Sequence, residues 1–418
     1  KLAGNADYKI ENGIIVGRTV LNSPNTFLAT EKEYGDFILE LEVKIEDSTS
    51  NSGIQFRSHF DPAANNGKGK VYGYQYELDP SARKWTAGIY DEGRRDWLYP
   101  LSLNPAAQNA FKLNEFNKVR VECMGNTLRT FINGIEAAFV VDTFDKKGFI
   151  ALQVHSIGSN EKFVGEKIYW KNIRIKTSGL KPSPHLPGTY VLNNIPNSLV
   201  NDEKQSGWQL LFDGKTGKGW VGAYKDHFPE KGWEIKDGIL SVLGSNGSES
   251  TNGGDIVTTK EYSAFDLSFE FRLTPGANSG VKYFVTLSEN NTGSAIGLEY
   301  QVLDDSLHPD AKLGRDGDRT LASLYDLIKA QKTSRFIKQP GGWNLGRIIV
   351  YPNNHVEHYL NGIKVLEYDR GSQAYRDLVA ISKYKVWKDF GEAKQGHILL
   401  QDHGNNVSFR SIKIRELR

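Results

Sequence analysis

Two rows of polar side chains, spaced two residues apart inside apolar segments, are the part of this sequence best suited to chemistry. In the first, Gln55 and Arg57 alternate with Ile54 and Phe56. Gln75, Glu77 and Asp79 alternate with Tyr74, Tyr76 and Leu78, Tyr90 follows Ile89, and Gln153 and His155 flank Val154. The second row holds Lys282, Glu299 with Gln301, Tyr325, and Gln401 with His403, and Asp304 closes the segment that carries Glu299. Residues i and i+2 of a strand share a face, so each row is expected to project from one sheet. An amide beside a carboxylate matches sugar hydroxyls, which both donate and accept. A cation, a phenol and an imidazole in the same cluster would titrate together, as acid–base sites do.

The two rows belong to one repeated unit. Tyr8-Lys-Ile-Glu-Asn-Gly-Ile-Ile matches Trp233-Glu-Ile-Lys-Asp-Gly-Ile-Leu, and Asn51-Ser-Gly-Ile-Gln-Phe matches Asn278-Ser-Gly-Val-Lys-Tyr. Phe131-Ile-Asn-Gly-Ile matches Tyr359-Leu-Asn-Gly-Ile, and Lys171-Asn-Ile-Arg-Ile matches Arg410-Ser-Ile-Lys-Ile. The matches are collinear. They predict one β-sandwich over 1–176, a Pro-rich linker over 177–207, and a second sandwich over 208–418. Gln209-Leu-Leu-Phe-Asp opens the second copy without an equivalent in the first, whose initial strand is therefore expected to be missing. Short alternating runs broken by Gly and Asn, with Asn133-Gly134 and Asn361-Gly362 as hairpin turns, predict packed antiparallel sheets and little helix. An ordinary solvated strand face competes with the site reading for each polar residue alone. The Gln-x-His pair, present in both copies, favours a site.

Composition narrows the partners. Among 418 residues, 52 Lys and Arg against 50 Asp and Glu give a net charge of +2. Acids and bases are interspersed, without the basic run that tracks phosphates, so nucleic acid is not an expected partner. No apolar stretch approaches the roughly 20 residues of a membrane span. Cys123, the single cysteine, reads as a small core hydrophobe. Trp85, Trp97, Tyr99, Trp220, Tyr224 and Trp387 are candidate sugar-stacking rings, about half of them expected in the core. His59 with Asp61, and His308 with Asp310, are candidate loop ligands for a divalent cation. His355 and His358, three apart on a strand, face opposite ways and do not form a metal pair. Oligomeric state is not legible.

At these residues the chain resembles the 3-keto-disaccharide hydrolase domain family. The resemblance rests on Tyr72-Gly-Tyr-Gln-Tyr-Glu-Leu-Asp-Pro, Ile150-Ala-Leu-Gln-Val-His-Ser, Leu298-Glu-Tyr-Gln-Val-Leu-Asp-Asp, Ala322-Ser-Leu-Tyr-Asp-Leu and Ile398-Leu-Leu-Gln-Asp-His-Gly. It implies two all-β concanavalin A-like jelly rolls and an oligosaccharide or glycoside substrate. It also implies an exported protein, secreted or periplasmic, with a lipid anchor at the removed N-terminus as one form. A 3-keto sugar has an acidified C2 proton, so one base, one electrophile and one acid suffice for cleavage. In the second copy Glu299 or His403 is the expected base, Lys282 the electrophile, and Tyr325 or Asp304 the acid. In the first, Glu77 or His155, Arg57 and Tyr90 are the expected counterparts, with Gln55, Gln75, Asp79, Gln153, Gln301 and Gln401 binding substrate. A non-catalytic carbohydrate-binding protein is the alternative reading.

Overall fold

The computed structural model describes residues 1–288 and 294–418 and divides into two compact units, Lys1–Ile195 and Pro196–Arg418. Each is built from two sheets. In unit 1 a seven-stranded sheet runs in the order Leu2–Ala3, Thr26–Ala29, Phe149–Val154, Ser52–Asp61, Lys70–Leu78, Ile89–Glu92, Asp96–Tyr99. Its eight-stranded companion has Phe37–Ile45 and Asn117–Met124 at the centre. In unit 2 the corresponding site-bearing sheet has five strands: Trp220–Gly222, Ile256–Tyr262, Gly396–Leu400, Asn278–Val285 and Leu298–Leu303. The all-β sandwich expected from the repeat, and the jelly roll that the resemblance implies, are therefore present in both units.

Alternation produces the core. Phe37, Leu39, Leu41, Val43 and Ile45 are each at most 3% exposed along one strand, and Phe265, Leu267, Phe269 and Phe271 repeat this in unit 2 at 0%. Each such side chain contributes roughly 1.5–3 kcal/mol of burial. Both Asn-Gly pairs take positive φ at both residues, the type I′ geometry. The turns are anchored identically: Asn133 Oδ1 accepts from Lys118 N at 2.8 Å, and Asn361 Oδ1 accepts from Leu345 N at 2.8 Å.

Between the repeats, Val191–Asn193 pairs in parallel with Ile135–Val141, and Asn201–Gln205 is a short helix. Gln209–Leu210 pairs with the Val407–Glu416 strand in unit 2. Among the described residues no strand takes that place beside Arg174–Lys176 in unit 1.

Candidate active site in unit 2

Strand register assembles the site. Lys282 lies opposite Glu299, and Gly280 opposite Gln301. The Gln401 backbone amide donates to Gly280 O, which brings the strand end carrying Gln401 and His403 alongside. On the other flank Tyr325 N donates to Glu299 O at 3.0 Å. Ala322 and Asp326 hold positive φ around this connection and turn the Tyr325 ring onto the sheet. Six of the expected residues, Lys282, Glu299, Gln301, Tyr325, Gln401 and His403, thus line one cavity of about 260 Å³. Glu249, Asn278, Ser294, Lys383, Tyr384 and Trp387 also line it.

Glu299 is 5% exposed, and among the described residues its carboxylate has neither a hydrogen-bond donor nor an ion pair within contact distance. Burial pushes its pKa above the usual carboxylate value, opposed by the Lys282 and Lys383 ammonium groups. The carboxylate lies across Gly280, where a Cβ would sit 2.2 Å from Glu299 Oε1. A glycine is required there by close approach. Lys282 Nζ donates to Ser294 Oγ at 2.7 Å and to Ala295 O at 3.0 Å, leaving its third proton for a ligand. Ser294 Oγ and Ala295 N in turn donate to buried Asp255.

Several buried polar atoms around the cavity have no protein partner among the described residues. They are Asn278 Oδ1, Gln301 Oε1, Gln401 Oε1 and His403 Nδ1. An unsatisfied buried acceptor costs about 1–3 kcal/mol. Three amide acceptors at one cavity, with an open imidazole nitrogen beside them, can take hydrogen bonds from a ligand rich in hydroxyls. Trp387 supplies an aromatic wall, and Lys383 Nζ lies 4.2 Å from the Tyr325 ring centroid.

Tyr325 already has its hydroxyl engaged as a donor. Its phenol donates to Asp310 Oδ2 at 2.8 Å, and burial together with Glu299 and Asp310 raises its pKa above the usual phenol value. Asp310 is held in turn by Arg319, which also pairs with Asp326. Asp304 does not join the cavity. It accepts from Gly276 N, Ser306 N and Ser306 Oγ, and those bonds hold its pKa low and fix a turn.

Unit 1 departs further from expectation. Arg57 faces away from the row. A bulge between Phe56 and His59 gives it φ +46°, and its guanidinium is buried against Gly35 O, Gly125 O and Asp36. Its positional equivalent is Phe284, with φ +54°, and the equivalent of Lys282 is Gln55. Gln75 stands where Glu299 stands, and Glu77 where Gln301 stands, so the counterparts expected for the base and the electrophile are both corrected. Asp79 is a turn clamp, accepting from Ser81 N and pairing with Arg83. His155 is exposed and bonded to Ser156 O. Tyr90 is half-buried, its hydroxyl donating to Asp96.

The candidate cation loops are otherwise employed. His59 pairs with Asp145, while Asp61 accepts from Ala63 N. His308 Nδ1 accepts from Asp310 N, with the His308 ring 5.7 Å from that of His403. His355, Glu357 and Glu367 come within 4.8 Å of one another, but Lys364 already bridges the two carboxylates. Tyr99 and Trp220 are core residues, at 0% and 2% exposed. Among the described helices none is long and apolar enough to cross a membrane.

The family model for the 3-keto-alpha-glucoside-1,2-lyase-like domain matches residues 1–176 and again 207–415. The chain belongs to this family, in two copies. A 3-keto-disaccharide hydrolase of Bacteroides thetaiotaomicron is 38% identical over 242 residues, spanning 53% of this chain and 82% of that protein. A solved glycosyl-hydrolase candidate from Parabacteroides distasonis is 30% identical over 53% of this chain and all of its own length, with a TM-score of 0.47. A second from the same organism is 28% identical over 50% of this chain and 99% of its own, with a TM-score of 0.39.

The side chains that strand phase did not reveal, Glu249, Asp255, Ser294 and Lys383, all lie outside regular strands or at their edges. Asn278 was legible only as the first letter of the repeated Asn-Ser-Gly.

Proposed function

We propose that unit 2 cleaves the glycosidic bond of 3-keto-glycosides by removing the C2 proton, expelling the C1 oxygen, and adding water across the resulting double bond. The observation that carries this reading is the buried, unpartnered Glu299 carboxylate facing the Lys282 ammonium across adjacent strands. A carboxylate without donors and with a raised pKa is a stronger base than an exposed one. Lys282, held by Ser294 and Ala295, keeps one N–H for the oxygen that becomes the enolate when the C2–H electron pair moves toward the C3 ketone. As that pair returns, the C1–O bond breaks and the leaving oxygen takes a proton. His403, with an open ring nitrogen in the cavity, is the assigned donor in place of Tyr325 and Asp304. The Asn278, Gln301 and Gln401 amide oxygens accept from sugar hydroxyls, and the Tyr325 ring and Trp387 bound the ring faces. The names of the family and of the Bacteroides relative agree with this substrate class.

The deciding experiment incubates the full chain with a nitrophenyl 3-keto-glucoside and, separately, with its parent glucoside. Aglycone release from the ketone alone is expected. Equal release from both would replace elimination with direct hydrolysis, and release from neither would end the enzymatic reading.

A further inference from the structure

We propose that unit 1 is a second carbohydrate site, one that binds neutral, unoxidised oligosaccharides without cleaving them. That it does not cleave rests on the reaction assigned to unit 2; that it binds does not.

The face that would bind is built but chemically changed. Gln55 occupies the electrophile position, so no ammonium stands there. The carboxylate of Glu77 is not open. It accepts from Asn51 Nδ2 at 2.8 Å and Gln75 Nε2 at 2.7 Å, and Gln75 Oε1 accepts from Gln55 Nε2 at 2.5 Å. An amide relay thus closes on Glu77, and Asp79 is held by Ser81 N and Arg83, leaving neither an available base nor a cation to steady an enolate.

What remains suits recognition. Gln153 is 0% exposed, yet both its amide oxygen and its amide nitrogen lack a partner among the described residues. A buried amide wanting one donor and one acceptor is answered by hydroxyl groups, which offer both. On the same face, Tyr90 pairs with Gln75 across one strand boundary and with Trp97 across the next. The half-buried Tyr90 and Trp97 rings meet edge to face at 5.4 Å, and Trp97 meets Trp85 at 4.7 Å. This is a braced aromatic platform of the kind that stacks on sugar rings. From Tyr90 to the Gln153 strand is three strand spacings, about 14 Å. The platform and the amide are therefore bridged by an oligosaccharide, not by a single ring.

The test uses the full chain with unit 2 silenced by Lys282→Met and Glu299→Gln. Maltotriose, cellotriose and laminaritriose are titrated by calorimetry. Saturable binding of at least one is expected, weakened at least tenfold by Trp97→Ala and by Gln153→Ala. Trp97→Phe should restore most of it, which separates loss of the platform from loss of the fold. No saturable binding of any of the three would overturn the proposal. So would binding that survives both unit 1 substitutions, since the sugar would then sit elsewhere. Failure here would leave the 3-keto-glycoside assay untouched, and failure of that assay would leave this one untouched.

Discussion

Glu299 is costly to the fold in the form the reaction needs. Its pKa is raised in the folded state, so folding takes up protons between the ordinary carboxylate value and the raised one, and stability falls as pH climbs through that interval. Glu299→Gln mimics the protonated form. It should melt higher than the native chain once pH exceeds the ordinary carboxylate range, with the difference vanishing below about pH 4; differential scanning calorimetry across pH would check this. The same ionisation should place the acidic limb of kcat/KM above the usual carboxylate range, and Glu299→Gln should remove turnover. In unit 1, burial lifts Glu77 to about 7. Stability of that unit is expected to decline between roughly pH 4.5 and 7, by at most about 3 kcal/mol, and Glu77→Gln should flatten the decline. None of this burial was legible in the sequence. Alternation assigns a residue to a face, but it does not say how deeply the side chain is sunk into that face, and Gln55, Gln75 and Gln153 are at most 2% exposed.

Among the elements, the strands and hairpins were readable because their signals are local: period-two alternation, and Asn-Gly where both residues need positive φ. The phase of Arg57 was not. A bulge reverses the facing of everything beyond it, and nothing in Gln55-Phe-Arg-Ser58 announces one. Phe284 repeats the feature in unit 2. The most exacting element-level requirement is the close approach of the Leu298–Leu303 strand to Gly280. Gly280→Ala should expel the Glu299 carboxylate and lower kcat at least tenfold while far-ultraviolet circular dichroism stays native. Asn361→Ala is expected to destabilise unit 2 by about 1–3 kcal/mol in urea unfolding, through a strained φ and a lost anchor to Leu345 N.

At the scale of the whole molecule, the duplication was the strongest sequence signal because it rests on many collinear matches instead of any one residue. The division of labour was less legible. Matching the copies by expected role pairs Glu77 with Glu299, whereas strand register, like the collinear Gly73-Tyr-Gln-Tyr-Glu and Gly297-Leu-Glu-Tyr-Gln, pairs Glu77 with Gln301. Only the second pairing shows that unit 1 has lost both the ammonium and the open carboxylate. Lys282→Met alone should therefore reduce aglycone release by the full chain to under about 1%, with unit 1 supplying no residual activity; a coupled aglycone assay on the purified variant would measure it.

The exchange of Glu-Tyr-Gln for Gln-Tyr-Glu moves one acidic group two residues along a strand, about 7 Å. The remaining scaffold is shared: Asn51 answers to Asn278, Gly53 to Gly280, Tyr90 to Tyr325, and Gln153 to Gln401. The two copies thus differ by a short mutational path, Gln55→Lys with Gln75→Glu and Glu77→Gln. Introducing the three exchanges into unit 1 would show how much reactivity that row supports without the Glu249, Ser294, Lys383 and Trp387 side chains that line the unit 2 cavity.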